Sequence, residues 1–106
     1  ASVRSVQLRN NSIGSEGIIA LAHALQTSTH LTALEQIDLH DNSVGSSGMQ
    51  ALAHAFGASP HLASLTDLNF DSCGLDDASV QALAAALQQG THLSALTRIC
   101  ISRNVQ

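Results

Sequence analysis

His40, Asp71 and Ser102 carry the three side chains of a hydrolytic triad, and successive members lie 31 residues apart. Triad chemistry needs the imidazole between nucleophile and carboxylate, with one ring nitrogen facing each. On neighbouring strands this spacing puts Asp71 in the middle and leaves Ser102 about two strand spacings, ~10 Å, from His40. That order does not relay a proton, and no oxyanion hole is suggested. No catalytic residue is assigned, and the chain reads as a non-enzyme. His30, His61 and His92 recur at the same interval. A zinc ion needs its ligand atoms ~2.0–2.1 Å away, and side chains strung along successive units do not converge on one ion. The same holds for His23 and His54. The reading is turn packing or helix-surface exposure, with no metal and no cofactor. The two cysteines, Cys73 and Cys100, fall at different positions of the pattern, one inward and one outward, so no disulfide is expected. Arg98 is the only cation placed to activate Cys100, and a neutral surface thiol is expected there. A reducing, cytoplasmic compartment fits.

These residues are positioned by a repeat. Val6, Ile37, Leu68 and Ile99 step by 31, as do Leu8, Leu39, Phe70 and Ile101. Ala20-Leu21-Ala22 returns as Ala51-Leu52-Ala53 and Ala82-Leu83-Ala84. The register holds without an insertion, giving about 3.4 units over the chain, and such a period marks a stacked solenoid. The units are 1–31, 32–62, 63–93 and a partial 94–106, making one segment over 1–106. Each unit opens on alternating apolar residues, a strand pattern, and continues with apolar residues at helical spacing. The helical halves run over 18–25, 49–56 and 80–87 and contain no charged residue. Glycines 14, 17, 45 and 48 lie in the first two strand-to-helix turns; the third has Asp76-Asp77-Ala78-Ser79, where Asp or Ser caps the helix.

The strand half reads Leu34-x-x-Ile37-x-Leu39-x-x-Asn42, Leu65-x-x-Leu68-x-Phe70-x-x-Cys73 and Leu96-x-x-Ile99-x-Ile101-x-x-Asn104. With the Ala-Leu helix that follows, this resembles the leucine-rich repeat family over essentially the whole chain. The long unit and the Ile-Gly-x-x-Gly turn are similar to the ribonuclease-inhibitor-like class, which includes ribonuclease inhibitor, the Ran GTPase-activating proteins and sensor regions of NOD-like receptors. The resemblance implies an α/β, right-handed horseshoe arc, with a parallel sheet on the concave side and helices on the convex side. It is specific for fold and weak for function, because one scaffold serves many partners. Stacking physics leads to the same layers, since one unit alone cannot bury both its strand face and its helix stripe. Asn11, Asn42 and Asn104, with Cys73 in the same slot, are expected to turn inward and satisfy backbone groups where the chain bends.

Residues between the leucines should form outward rows. These are Ser5, Gln36, Asp67, Arg98; Gln7, Asp38, Asn69, Cys100; Arg9, His40, Asp71, Ser102; and Asn10, Asp41, Ser72, Arg103. The face has an acidic centre and basic flanks, with cheap surface pairs expected between Asp67 and Arg98 and between Asp71 and Arg103. The candidate contact residues for a protein partner are Arg9, Gln36, Asp38, His40, Asp41, Asp67, Asn69, Asp71, Arg98 and Arg103. Four strands expose on the order of 400 Å², about half the ~800 Å² per partner of a standard interface. Trp and Tyr, the usual anchors, are absent.

Net charge −4, with four cations, disfavours nucleic-acid binding. No apolar run approaches the ~20 residues of a membrane helix. Val3, Val6 and Leu8 at one end, and Ile99 and Ile101 at the other, would be open. The expectation is a segment of a longer solenoid, or a chain whose ends neighbouring repeats or subunits cover. Three functions follow: a non-catalytic scaffold presenting its strand rows, a structural piece packed in a large assembly through its uncharged helices, or a small-GTPase regulator. The last rests on the resemblance to the Ran GTPase-activating proteins alone.

Overall fold

Alternating apolar residues give each unit one buried strand face, and the helix that follows needs a cover for its own stripe. Both are met when units stack side by side. The computed structural model describes residues 3–28, 30–89 and 93–104. Strand β1 (Ser5–Gln7) leads to helix α1 (Ser15–Thr27), β2 (Gln36–Asp38) to α2 (Gly45–Ala58), and β3 (Asp67–Asn69) to α3 (Asp77–Gln89); β4 (Arg98–Cys100) follows. A single 3₁₀ turn, Pro60–Leu62, joins α2 to the run before β3, with proline in its first turn, where a missing N–H costs nothing. The four strands form one parallel sheet in the order β1-β2-β3-β4, and the helices pack in the same order, α1 on α2 on α3. The fold is an α/β stacked solenoid, a parallel sheet backed by a layer of helices, as the repeat implied.

Register is in step throughout. Val6 faces Ile37, Ile37 faces Leu68, and Leu68 faces Ile99. The core lies between sheet and helices. Leu34, Leu39, Leu65, Leu68 and Phe70 from the strand side meet Ile18, Met49, Leu52 and Phe56 from the helices, all fully buried. Exposure changes at the α3 end. Ile18 and Met49 are at 0%, but Val80, at the matching position, is 41% exposed. Leu25 and Phe56 are at 1% and 0%, and Leu87 is at 36%. Leu39 and Phe70 are at 0%, and Ile101 is at 40%. Val3 is 49% exposed at the opposite end.

The bend from strand to helix is held from the neighbouring unit. Asn42 Oδ1 accepts the N–H groups of Asn11 and Ile13 at 3.1 and 2.9 Å, and its Nδ2 donates to the carbonyls of Leu8 and Leu39 at 2.7 and 3.0 Å. Asn104 does the same two units on. Its Oδ1 takes the N–H groups of Cys73 and Leu75 at 2.8 and 3.0 Å, and its amide donates to the carbonyls of Phe70 and Ile101. One side chain thus serves the two acceptors and two donors that a tight bend strips of ladder partners.

Asn11 behaves differently. It is exposed, and its amide donates only to Arg9 O at 3.2 Å among the described residues. The expectation that it turns inward fails, because no described strand stacks on the outer side of β1 to give it backbone groups to serve. Cys73 is fully buried, and its thiol donates to Leu39 O at 3.0 Å. Burial pushes this thiol up from its ordinary range. A thiol cannot receive two N–H groups as a carboxamide oxygen does.

The backbone of the middle bend adjusts accordingly. Ser12 and Gly74 hold the left-handed conformation in the first and third bends (φ 55° and 68°). In the second bend it moves to Gly45 (φ 66°), whose N–H donates to Cys73 O at 3.2 Å. An L side chain at Gly45 would be strained, and its Cβ would sit 3.3 Å from Ser15 Oγ. Gly57 lies inside α2, with open space where an alanine methyl would stand. Gly45→Ala should therefore lose about 1 kcal/mol, and Gly57→Ala should gain about 0.5–1 kcal/mol. Urea denaturation of the two variants reads this opposite sign directly.

Helix α3 is capped and its neighbours are not. Asp76 Oδ1 accepts the N–H of Ser79 at 2.9 Å, and Ser79 Oγ accepts the N–H of Asp76 at 3.2 Å. The caps of α1 and α2, Gly14 and Val44, make no side-chain bond. The bonds from Ser79 hold the Asp76 carboxyl below its ordinary range. Its folded value is lower than its unfolded one. The stabilisation is therefore complete above the unfolded value and is lost as pH falls through the folded one. In an acid titration, Asp76→Ala should flatten the loss of stability below about pH 4 and leave the neutral-pH slope unchanged.

Candidate functional site

The strand interiors point alternate side chains away from the core, and register turns them into rows. Ser5, Gln36, Asp67 and Arg98 are successive register partners, and so are Gln7, Asp38, Asn69 and Cys100. All of these but Ser5 line an open cavity of about 220 Å³ on the sheet face, with Arg9 also at its wall and Ile37 and Leu68 among its lining residues. Six of the candidate contact residues meet here: Arg9, Gln36, Asp38, Asp67, Asn69 and Arg98. His40, Asp41, Asp71 and Arg103 lie outside it.

The charges pair in an unexpected way. Arg9 Nε and Nη2 donate to Asp38 Oδ2 at 3.0 and 2.7 Å. Among the described residues this is the one ion pair. Neither Asp67–Arg98 nor Asp71–Arg103 closes, although Asp67 and Arg98 are register partners. Asp67 Oδ1 is held by the Thr66 hydroxyl at 2.8 Å, and Asp71 Oδ1 accepts the backbone N–H of Ser102 at 2.6 Å. The Arg9 side chain is half exposed, so the pair is worth at most about 1 kcal/mol.

Asp38 is consequently not an open contact. It is 8% exposed, with Oδ2 closed by Arg9 and Oδ1 accepting the N–H of His40 at 3.0 Å. Asn69 repeats the second bond, its Oδ1 accepting the N–H of Asp71 at 2.9 Å. Both are side chains that fold back on the backbone two residues on, a habit of Asp and Asn at chain bends. The acidic centre is thereby reduced to Asp67, with Asp71 and Asp41 further along the strand exit.

The fourth row is not a continuation of the strands. Asn10, Asp41, Ser72 and Arg103 all hold left-handed backbone (φ 59°, 62°, 55° and 59°). Their side chains are turned out of the pleat, and Asp41 opens instead on a separate cleft with Ser12, Ser43, Ser72 and Gly74. Spacing alone missed this. The available signal was Asn10 and Asp41, residue types that tolerate this conformation; Ser72 and Arg103 gave none.

Gln7 and Cys100 also line the sheet cavity, although strand spacing did not single them out as contacts. Cys100 is half-buried, and both cysteines are free thiols. Among the described residues His40 bonds through its backbone, its N–H donating to Asp38 Oδ1 and its carbonyl accepting the N–H of Asn10. His61 Nε2 lies 2.7 Å from Leu25 O, and a ring N–H there satisfies a carbonyl at the end of α1. His23, His30 and His54 are exposed; His92 lies outside the described residues. Among the described residues no group of three or more His, Cys, Asp or Glu is placed to hold a metal ion. No described helix is long and apolar enough to cross a membrane.

Comparison with known proteins matches the chain to the leucine-rich repeat model over residues 1–22, 27–53 and 61–84. Among solved structures, that of leiomodin-1 actin-binding site 2 superposes with a TM-score of 0.76 at 22% identity, covering 95% of this chain. The chain spans 55% of that structure's length. No curated protein matches the sequence.

Proposed function

We propose, from the premise that the chain belongs to the leucine-rich repeat family, that it is a non-catalytic scaffold that binds a protein through its sheet face. The observation that carries this is the cavity on that face, where Gln36, Asp67, Asn69 and Arg98 keep open hydrogen-bonding groups in register rows. Structural bonds on the sheet face occupy both oxygens of Asp38, one oxygen of Asp67 and the carboxamide oxygens of Gln36 and Asn69, and leave the remaining groups over. The leiomodin-1 structure is described as an actin-binding site, so this fold is put to protein binding there. The role as a scaffold supports the reading here; the partner is a separate matter. Within the family we place the chain in the ribonuclease-inhibitor-like class, on its full helices of 13 or 14 residues. We place it in a reducing compartment, the cytoplasm, on its two free thiols.

A second reading has its own support. Val80, Leu87 and Ile101 are exposed at one end, and the helices carry His23, Gln50, His54 and Gln81 on exposed positions without charge. This arrangement suits a unit whose end and outer face are covered by further repeats of about 31 residues or by a neighbouring subunit. Photo-crosslinkers placed singly at Gln36, Asn69, Gln50 and Gln81 in the native extract separate the two. Partner adducts at Gln36 and Asn69 are expected. Adducts confined to Gln50 and Gln81 would replace the scaffold reading with the packed-subunit one.

A further inference from the structure

The sheet cavity holds an acid and a base that do not neutralise each other. Asp67 and Arg98 are register partners on adjacent strands, about 4.8 Å apart along the sheet, yet they form no ion pair. Asp67 Oδ1 is committed to the Thr66 hydroxyl, which leaves Oδ2 as a spare acceptor. The Arg98 guanidinium is exposed and makes no hydrogen bond among the described residues. Around them the carboxamides have spare donors. Gln36 uses its Oε1 to accept from Ser5, and Asn69 uses its Oδ1 to accept from Asp71, so both NH₂ groups remain available. Gln7 uses its NH₂ on Ser5 and keeps its oxygen open.

A partner group entering this cavity meets both signs at once. An ammonium or guanidinium would gain Asp67 and face Arg98; a carboxylate would gain Arg98 and face Asp67. Each meets a like charge within one strand spacing. A neutral group with a strong acceptor at one end and an N–H donor at the other meets no repulsion. Its C=O takes N–H groups from Arg98 and Asn69 or Gln36, and its NH₂ donates to Asp67 or Gln7. The cavity volume of about 220 Å³ is below the ~300–1,000 Å³ of small-molecule sites and suits a single side chain. Resting on the scaffold reading above, we propose that this cavity is a pocket for one carboxamide side chain, Asn or Gln, of the bound protein.

The test uses the whole chain and four blocked tripeptides, acetyl-Ala-X-Ala-amide with X as Gln, Ala, Lys or Glu, titrated while the side-chain N–H signals of Arg98, Gln36 and Asn69 are followed by NMR. The Gln peptide should bind about fivefold or more tighter than the Ala peptide, and the Lys and Glu peptides should not exceed Ala. Asp67→Ala and Arg98→Ala, both on the solvent side of the sheet, should each erase the Gln preference while leaving thermal unfolding in place. Lys or Glu peptides that match Gln, or four peptides that behave alike, overturn the proposal. So does a Gln preference that survives both substitutions. The scaffold reading is judged separately by the crosslinks, and partner adducts on the sheet face with no Gln preference would leave it standing while this pocket assignment falls.

Discussion

Asn42→Ala should lower the unfolding free energy by about 3 kcal/mol, and with it the melting temperature by about 15 °C at the scale of a hundred-residue domain. The side chain is 4% exposed and makes bonds to both sides of one bend. Its loss leaves the N–H of Ile13 without its acceptor and the carbonyl of Leu8 without its side-chain donor, and leaves the buried carbonyl of Leu39 with the weak Cys73 thiol alone. Groups of this kind cost about 1–3 kcal/mol each when stranded. Asn11 supplies the internal control. It is the same residue type at the matching position, but exposed and bonded through its amide to Arg9 O. Asn11→Ala should stay within about 0.5 kcal/mol of the parent. Asn42→Cys should fall between them, because a thiol donates to a carbonyl, as Cys73 does to Leu39, but is a weak acceptor for the two N–H groups. Equal losses for Asn42→Ala and Asn11→Ala in urea denaturation would show that these bonds do not hold the bend.

The contrast between Asn42 and Asn11 shows what sequence spacing conveys and what it cannot. Both residues satisfy one pattern, and a pattern says which face a side chain takes. Whether there is anything on that face to bond depends on a neighbour, and among the described strands β1 has a neighbour on one side only. Layers, strand order and register were legible because they follow from apolar periodicity, and Val6 over Ile37 over Leu68 is the pattern made solid. The sheet face was legible as rows but not as electrostatics. Asp38 reads as an open acid until the backbone N–H of His40 and the guanidinium of Arg9 are placed around it. Asp67 and Arg98 read as a pair, yet the carboxylate takes the Thr66 hydroxyl on Oδ1 and forms no ion pair with Arg98. Such competition among donors a few ångströms apart is decided by geometry finer than a repeat register. The same limit hid the shift of left-handed backbone from residue 43 to Gly45, in the bend that faces Cys73 where the first and third bends face Asn.

Phe56→Ala carries the largest packing loss expected in the molecule, about 3–5 kcal/mol. Phe56 is fully buried in α2, the helix that packs against a neighbour on each side. Truncation removes its own contacts and opens a void in the buried core cluster. In a stacked array stability is a sum of unit and nearest-neighbour terms, so one change in the middle weakens two couplings. The matching residues measure this. Leu25→Ala, at 1% exposure on α1, should lose about 2–4 kcal/mol, a full core truncation with one helix neighbour. Leu87→Ala, at 36% exposure on α3, should lose only about 1 kcal/mol. Phe56→Leu, which keeps most of the volume, should cost under about 1.5 kcal/mol. The order Phe56, Leu25, Leu87 in denaturant midpoints is the signature of coupling that runs through α2. If Leu87→Ala instead costs as much as Leu25→Ala, Leu87 is covered in solution, and the end face of α3 has an occupant. That result would favour a neighbour seated on Val80 and Ile101, and would move the packed-subunit reading ahead of the scaffold.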